Sequence, residues 1–161
     1  MKIIVVYDSV FGNTGQIARA IGGALDSGNE VDVFNVTRFM PENLKGTKLL
    51  IVGSPTRSFR PTEAISKFIK NLSPGALTKV KVAAFDTRIS PEELKSAIAR
   101  FLVKKGGYAA KPIAKKLVAK GGILVLPPEG FFVTDEKGPL KQGETERAEG
   151  WAKELLKTAL P

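Results

Sequence analysis

The chain has 161 residues, 43% hydrophobic and 25% charged, and 25 basic against 16 acidic side chains give a formal net charge of +9. It contains neither cysteine nor histidine, which excludes disulfide scaffolds, thiol nucleophiles, iron–sulfur clusters, Cys/His zinc sites and every triad built on a histidine base. The size predicts one domain over residues 1–161, and the chemistry left open is that of a bound molecule or none.

Lys2–Tyr7 is a β-branched apolar run and predicts a buried first strand. After the turn-like stretch Asp8–Asn13, apolar residues recur at Ile17, Ala20, Ile21 and Ala24, the spacing of a helix that stops near Ser27-Gly28. Val31–Val36 alternates and predicts a second strand. Lys48–Gly53 predicts a third, ending in Ser54-Pro55-Thr56. Pro61-Thr62-Glu63 opens a helix running through Phe68 and Ile69, with proline in its favoured first turn. Val80–Phe85 is the fourth predicted strand, ending at Asp86. Ser90-Pro91-Glu92-Glu93 has the form of a capped helix start, followed by a short helix over Leu94–Lys105 that breaks at Gly106-Gly107. Tyr108–Lys120 predicts a basic helix with Pro112 in its first turn. A fifth strand at Ile123–Leu126 is interrupted by Pro127-Pro128 and resumes at Phe131–Val133. Gly143–Leu160 closes the chain as an amphipathic helix.

Strands that are unbroken apolar runs, alternating with helices, predict an α/β fold: a doubly wound parallel sheet of five strands in a three-layer α/β/α arrangement. The apolar runs Ile3–Tyr7 and Ile123–Leu126 fall far short of the roughly 20 residues of a spanning helix, so no membrane insertion is expected. Met1-Lys2 and the strand formers after it lack the apolar region of a signal peptide, and a cytoplasmic location is expected. The sequons Asn35-Val36-Thr37 and Asn71-Leu72-Ser73 are accordingly read as chance.

The positive charge is unevenly placed. From Leu94 to Pro128 there is no acidic residue, while Lys95, Arg100, Lys104, Lys105, Lys111, Lys115, Lys116 and Lys120 lie in that stretch. A solvated helix face or a docking surface for an acidic partner both fit. Aromatic residues do not interleave with these cations as single-strand binders require, which disfavours nucleic acid.

In an open parallel sheet, ligands bind beyond the carboxyl ends of the strands. Three predicted loops meet there. Asp8–Thr14 offers the hydroxyls of Ser9 and Thr14, the amide of Asn13, and close backbone approach at Gly12. The helix that follows presents free N–H groups and its positive end, so the loop can hold a phosphate with no Lys or Arg. Neither G-x-G-x-x-G nor a G-K-[ST] ending is present, which favours a terminal monophosphate over a pyrophosphate. Plain N-capping by Asn13 or Thr14 is the alternative. The second loop, Ser54–Arg60, sets the planar ring of Phe59 between the cations Arg57 and Arg60. The third, Asp86-Thr87-Arg88, can read a polar heterocycle edge or hold an Asp86–Arg88 ion pair.

Ser9-x-Phe11-Gly12-Asn13-Thr14 after the first strand, with Gly53-Ser54-Pro55-Thr56 after the third, resembles the flavodoxins and their flavodoxin-like relatives. The segments Gly138-Pro139-Leu140, Gly143-Glu144, Arg147-Ala148 and Trp151-Ala152 resemble them also, so the likeness runs through essentially the whole chain. It implies the strand order 2-1-3-4-5 and noncovalent FMN. The resemblance places the phosphate on Ser9, Gly12, Asn13 and Thr14 with a backbone N–H from Phe11, and counts Val10 among the cofactor-binding residues. It sets Pro55, Thr56, Arg57, Ser58 and Phe59 on one side of the flavin ring. Asp86, Thr87 and Arg88 fall near its pyrimidine edge, and Gly107 and Tyr108 on the far side.

The role implied is an electron carrier between redox partners, with an acidic protein docking on Lys95–Lys120. The Pro-Thr-Arg-x-Phe pattern at 55–59 leans toward flavodoxin-like quinone reductases, so an FMN-dependent NAD(P)H:quinone oxidoreductase is the first alternative. A flavin-free interaction module is the second. Two departures stand out. The second loop lacks glycine, so Arg57 and Ser58 are expected to resist positive φ. The excess of positive charge predicts a less negative potential for a bound flavin than an acidic relative would have.

Overall fold

The computed structural model describes residues 1–160. Strands β1 (Lys2–Tyr7), β2 (Glu30–Asn35), β3 (Leu49–Pro55) and β4 (Lys81–Ile89) form a parallel sheet with β5 (Ile123–Leu124) and β6 (Glu129–Val133). The order is β2-β1-β3-β4-β5, and β6 also pairs with β4. Helices α1 (Asn13–Leu25), α2 (Glu63–Asn71), α3 (Ala97–Gly106), α4 (Ala110–Ala119) and α5 (Glu144–Ala159) complete the fold. The crossover from β2 to β3 carries only two short 3-10 turns, Val36–Arg38 and Pro41–Leu44.

The predicted fifth strand is one strand in two pieces. β5 pairs with the start of β4 (Lys81↔Ile123) and β6 with its end (Phe85↔Glu129), while Val125–Pro128 loops out between them. Pro127 and Pro128 have no N–H to give a ladder, so the chain leaves the sheet and rejoins it.

The apolar runs are buried on both faces, as parallel strands flanked by helices require. One core packs Ile3, Val5, Leu49, Ile51 and Phe85 against α1 and α5; the other packs Ile4, Val6, Leu50, Val52 and Val82 against α2 and α4. In the first core Phe85, Phe131 and Trp151 meet edge to face, with ring centroids 6.0–6.3 Å apart. Gly53 lies flat on the ring of Phe85: a Cβ there would sit 2.1 Å from the ring. The motif residue after the third strand is therefore a packing requirement.

Two predicted boundaries move. β4 continues past Phe85 to Ile89, so Asp86, Thr87 and Arg88 are strand residues and not a loop. Asp86 is a poor strand former, but the ladder to β6 (Asp86↔Gly130, Thr87↔Phe131, Arg88↔Phe132) overrides propensity. Ser90–Glu93 makes a 3-10 turn over Pro91–Glu93. The helix proper begins at Ala97, where the Ser96 hydroxyl accepts the Ala99 N–H at 3.3 Å.

The start of α5 is locked to β6. The Glu144 carboxylate accepts from the Phe132 N–H (2.6 Å) and from Arg147 Nε (2.9 Å) and Nη2 (2.7 Å). Arg147 also bonds the Gly130 carbonyl and stacks over Phe131. Burial acts to raise the Glu144 pKa, but the bonds from Arg147 and Phe132 outweigh it and hold the carboxyl below the ordinary range. The C-terminal motif segments are thus joinery.

Candidate functional site

At the carboxyl edge of the sheet, β1 turns through Asp8–Gly12 into α1. Gly12 is the N-cap residue, with φ 95° and no side chain capping the helix. A Cβ at Gly12 would meet nothing within 4 Å, so it is the left-handed backbone and not crowding that calls for glycine. Neither Asn13 nor Thr14 caps the helix, against the plain-capping alternative. Asn13 Nδ2 donates to the Lys137 carbonyl (3.2 Å), beneath Gly138 of the C-terminal motif run. The Thr14 hydroxyl pairs with that of Thr87 at 2.8 Å.

Ser9 Oγ takes the Gly15 N–H at 3.2 Å. Among the described residues, the backbone N–H groups of Val10, Phe11, Gly12, Asn13 and Thr14 have no acceptor. Consecutive N–H groups at a helix's positive end can accept an anion.

Beside it opens a cleft of about 590 Å³, and four segments supply its walls. Val10, Phe11, Asn13 and Thr14 come from the first loop, Pro55, Thr56, Arg57 and Ser58 from the second. Thr87, Arg88 and Ile89 end β4, and Glu93–Ser96 with Ala99 lead into α3. Val133–Glu136, beyond β6, close the remaining side. The Phe11 ring faces the Arg57 guanidinium across the cleft, 5.6 Å from carbon to centroid.

The second loop is a hairpin tip. Arg57 and Arg60 exchange two backbone hydrogen bonds (2.9 and 3.0 Å), and between them Ser58 (φ 46°) and Phe59 (φ 64°) both lie in the left-handed region. The expected resistance of Ser58 to positive φ is therefore overcome. The paired bonds and the anchored neck hold the turn at about 1–2 kcal/mol per non-glycine residue. Anchoring comes from Ser54 Oγ, which accepts the Thr62 N–H at 3.0 Å, and from Thr56, which bonds Thr87 and Ala109. Phe59 is half-buried and does not line the cleft.

The end of β4 is self-satisfied. Asp86 is fully buried, gripped by Arg88 Nε (2.5 Å) and Nη2 (2.7 Å), and takes the Ala110 N–H at 2.7 Å at the start of α4. Burial pushes the Asp86 carboxyl up, opposed by Arg88 and the Ala110 N–H. The Arg88 guanidinium lies 3.9 Å from the centroid of Tyr108, whose hydroxyl donates to the Ile89 carbonyl at 3.0 Å. Tyr108 is buried under Arg88, and its phenol is raised by that burial. Gly107 closes the C-terminus of α3 by donating to the Val103 carbonyl (2.7 Å).

Of the residues the sequence singled out, Val10, Phe11, Asn13, Thr14, Pro55, Thr56, Arg57, Ser58, Thr87 and Arg88 line the cleft together. Ser9 and Gly12 shape the first loop from behind, while Phe59, Asp86, Gly107 and Tyr108 lie outside the lining. Sequence reasoning missed Ile89, Glu93–Ser96, Ala99 and Val133–Glu136. No motif marks them; only the β4–β6 ladder brings the last group in. Their carboxylates Glu93, Asp135 and Glu136 oppose Arg57, Arg88 and Lys95, so the chain's excess charge is not concentrated in the cleft.

The basic stretch divides over two helices. Arg100, Lys104 and Lys105 are exposed on α3, and Lys111, Lys115 and Lys116 on α4. Lys120 is tied back to the carbonyls of Lys70 and Leu72. Among the described residues no helix is long and apolar enough to cross a membrane, and no group of three or more acidic side chains is placed to hold a metal ion.

The chain matches no protein-family model and no curated protein. Solved structures do resemble it. Oxidised Flavodoxin 2 from Bacillus cereus is 24% identical with a TM-score of 0.75, over 98% of this chain and 99% of that one. A flavodoxin from the domain Archaea is 23% identical with a TM-score of 0.73, over 99% of both. The flavodoxin, WrbA-like protein from Agrobacterium tumefaciens is 19% identical with a TM-score of 0.70, over 98% and 96%. The chain has the flavodoxin fold.

Proposed function

We propose that this chain binds FMN noncovalently in the cleft and carries electrons between redox partners. The observation that carries this reading is the row of backbone N–H groups from Val10 to Thr14 without acceptors, at the edge of a cleft in a flavodoxin fold. Those groups fit a terminal phosphate, and the hydroxyl of Ser9, with its oxygen engaged by Gly15, has its own proton left to donate.

Bound FMN would supply one- and two-electron redox chemistry. The chain's part is to bind, orient and tune. Thr56 and Ser58 offer polar groups at the neck and tip of the second loop, and Arg57 adds a positive charge to the same wall. The Asp86–Arg88–Tyr108 stack fixes the position of Thr87 and Ile89 and reaches the cleft wall only through Arg88. An acidic redox protein is the partner this reading expects on the segment Lys95–Lys120, through the exposed Lys111, Lys115 and Lys116 of α4, with association that weakens as salt rises.

A second reading rests on the wall formed by Ile89, Leu94 and Ala99. This apolar flank suits a planar acceptor beside the flavin, as an NAD(P)H:quinone oxidoreductase needs. One experiment separates the readings. The purified protein is soaked in FMN, desalted, and its visible spectrum followed under argon before and after NADPH. Retained flavin bands that only dithionite bleaches support the carrier. Bleaching by NADPH, with turnover on adding a quinone, makes it an enzyme. Absence of retained flavin overturns both and leaves an interaction module.

A further inference from the structure

Helix α3 rests on the fold through a narrow line. Val103 is buried and Ala99 partly so, while Ile98, Phe101 and Leu102 are 72%, 56% and 43% exposed. These three stand at i, i+3 and i+4, the spacing of one helix face, but the face looks outward. At about 100° per residue, Phe101 points directly away from the Ala99–Val103 line. Lys105 shares that face, its ammonium 5.1 Å from the Phe101 ring, and Arg100 and Lys104 flank it on the other side. Lys95 precedes the helix, and α3 itself carries no carboxylate.

We propose that the outward face of α3 docks peripherally on an anionic lipid surface. Three large apolar side chains ringed by long cationic ones form the pattern of a helix lying in the headgroup layer, its rings and branches below the phosphates and its Lys and Arg heads among them. A second copy of the chain is a poor occupant, because two such faces would bring like charges together. A protein socket would need an acidic rim and directional polar contacts. The face offers no hydroxyl or amide side chain to specify one, only apolar bulk and mobile cations. The headgroup layer demands neither shape nor register. Ser96 and Ala99 on the opposite flank of the same segment line the cleft, so docking would hold the cleft beside the membrane surface. This inference does not depend on FMN being bound.

The test is co-sedimentation of the full chain with vesicles of phosphatidylcholine, alone or containing phosphatidylglycerol. The proposal expects binding only to the second kind. Phe101→Ser should weaken it about tenfold, and Lys104→Gln and Lys105→Gln about fivefold each. All three positions are exposed, so circular dichroism should show the fold unchanged. The absence of native cysteine allows a polarity-sensitive dye at Leu102→Cys, which should shift to the blue on these vesicles. The same dye at Ser27→Cys, in the turn after α1, should not.

Failure to co-sediment overturns the proposal. So does adsorption that Phe101→Ser leaves unchanged with no dye shift, because the face would then act as charge alone and its apolar residues would fall to an acidic protein. Equal binding to pure phosphatidylcholine overturns the anionic assignment.

Discussion

The first loop and the end of β4 touch through the Thr14 and Thr87 hydroxyls, yet they treat their polar groups in opposite ways. In the first, five backbone N–H groups find no acceptor among the described residues. In the second, a fully buried carboxylate has three donor bonds, an arginine above it and a tyrosine above that. Polar residues at the carboxyl edge of a parallel sheet can therefore serve a ligand or serve the frame. Residue type alone does not decide between them. Satisfaction bears on it: groups bonded within the chain are framework, and groups left over are open to water or to a ligand.

That distinction is broken most severely at Asp86. Asp86→Ala leaves Arg88 without its carboxylate and the Ala110 N–H without an acceptor, and should cost about 3–5 kcal/mol in urea or thermal unfolding. A loss under 1 kcal/mol would show that the stack is not framework. The counterpart in the first loop is Ser9→Asp, which retains an acceptor for the Gly15 N–H and adds a negative charge at the positive end of α1. Stability should hold or rise slightly. FMN affinity, followed by fluorescence quenching, should fall by about 30-fold, the effect of roughly 2 kcal/mol of like-charge repulsion. Riboflavin, lacking the phosphate, should bind the variant as it binds the parent. Equal losses for both ligands would remove the phosphate from this loop.

Much of this edge was legible in the sequence. Asp8–Thr14 reads as a strand-to-helix turn because Gly12 stands between a strand and a helix with hydroxyl and amide residues around it, and in the structure that turn joins β1 to α1 beside the cleft. The break at Pro127-Pro128 was legible too, because proline obeys strong local rules, whereas the strand order came from the family resemblance and not from any local pattern. Asp86-Thr87-Arg88 was not. Three polar residues after an apolar run read as a loop, and only pairing with β6, more than forty positions away, makes them strand. The stacking of Tyr108 under Arg88 was not legible for the same reason, since sequence spacing does not reveal that pair. The face of α3 has helical periodicity in the sequence, but whether such a face turns inward or outward is a tertiary fact.

Two smaller changes sharpen the contrast between frame and site. Glu144→Gln removes a framework carboxylate and should cost about 1.5–3 kcal/mol at neutral pH. The Glu144 pKa is depressed in the folded protein, so its contribution is present above the ordinary value of 4.5 and lost as pH falls through the folded value. Between pH 5 and lower values the parent should therefore lose stability faster than the variant, and parallel curves would refute the assignment. At the second loop, replacing Ser58 with Asn and Phe59 with Gly gives the turn residues that its two positive φ angles favour. The pair should raise stability by about 1–2 kcal/mol. No gain would mean that the turn is not strained.

The smallest expected effect concerns Arg57. Its guanidinium is exposed and faces the Phe11 ring, and the same cleft is also lined by the carboxylates Asp135 and Glu136 and by Glu93, which is paired with Lys141. A cation on the wall of a flavin site stabilises added negative charge, so Arg57→Ala should make the two-electron midpoint potential of bound FMN more negative. Solvent screens an exposed charge, and opposing carboxylates offset it further, so the shift should be on the order of 20 mV. Potentiometry at two salt concentrations checks both sign and cause: the difference between parent and variant should shrink as salt rises. An unchanged or raised potential would show that Arg57 acts on the cleft through its contact with Phe11 and not through its charge.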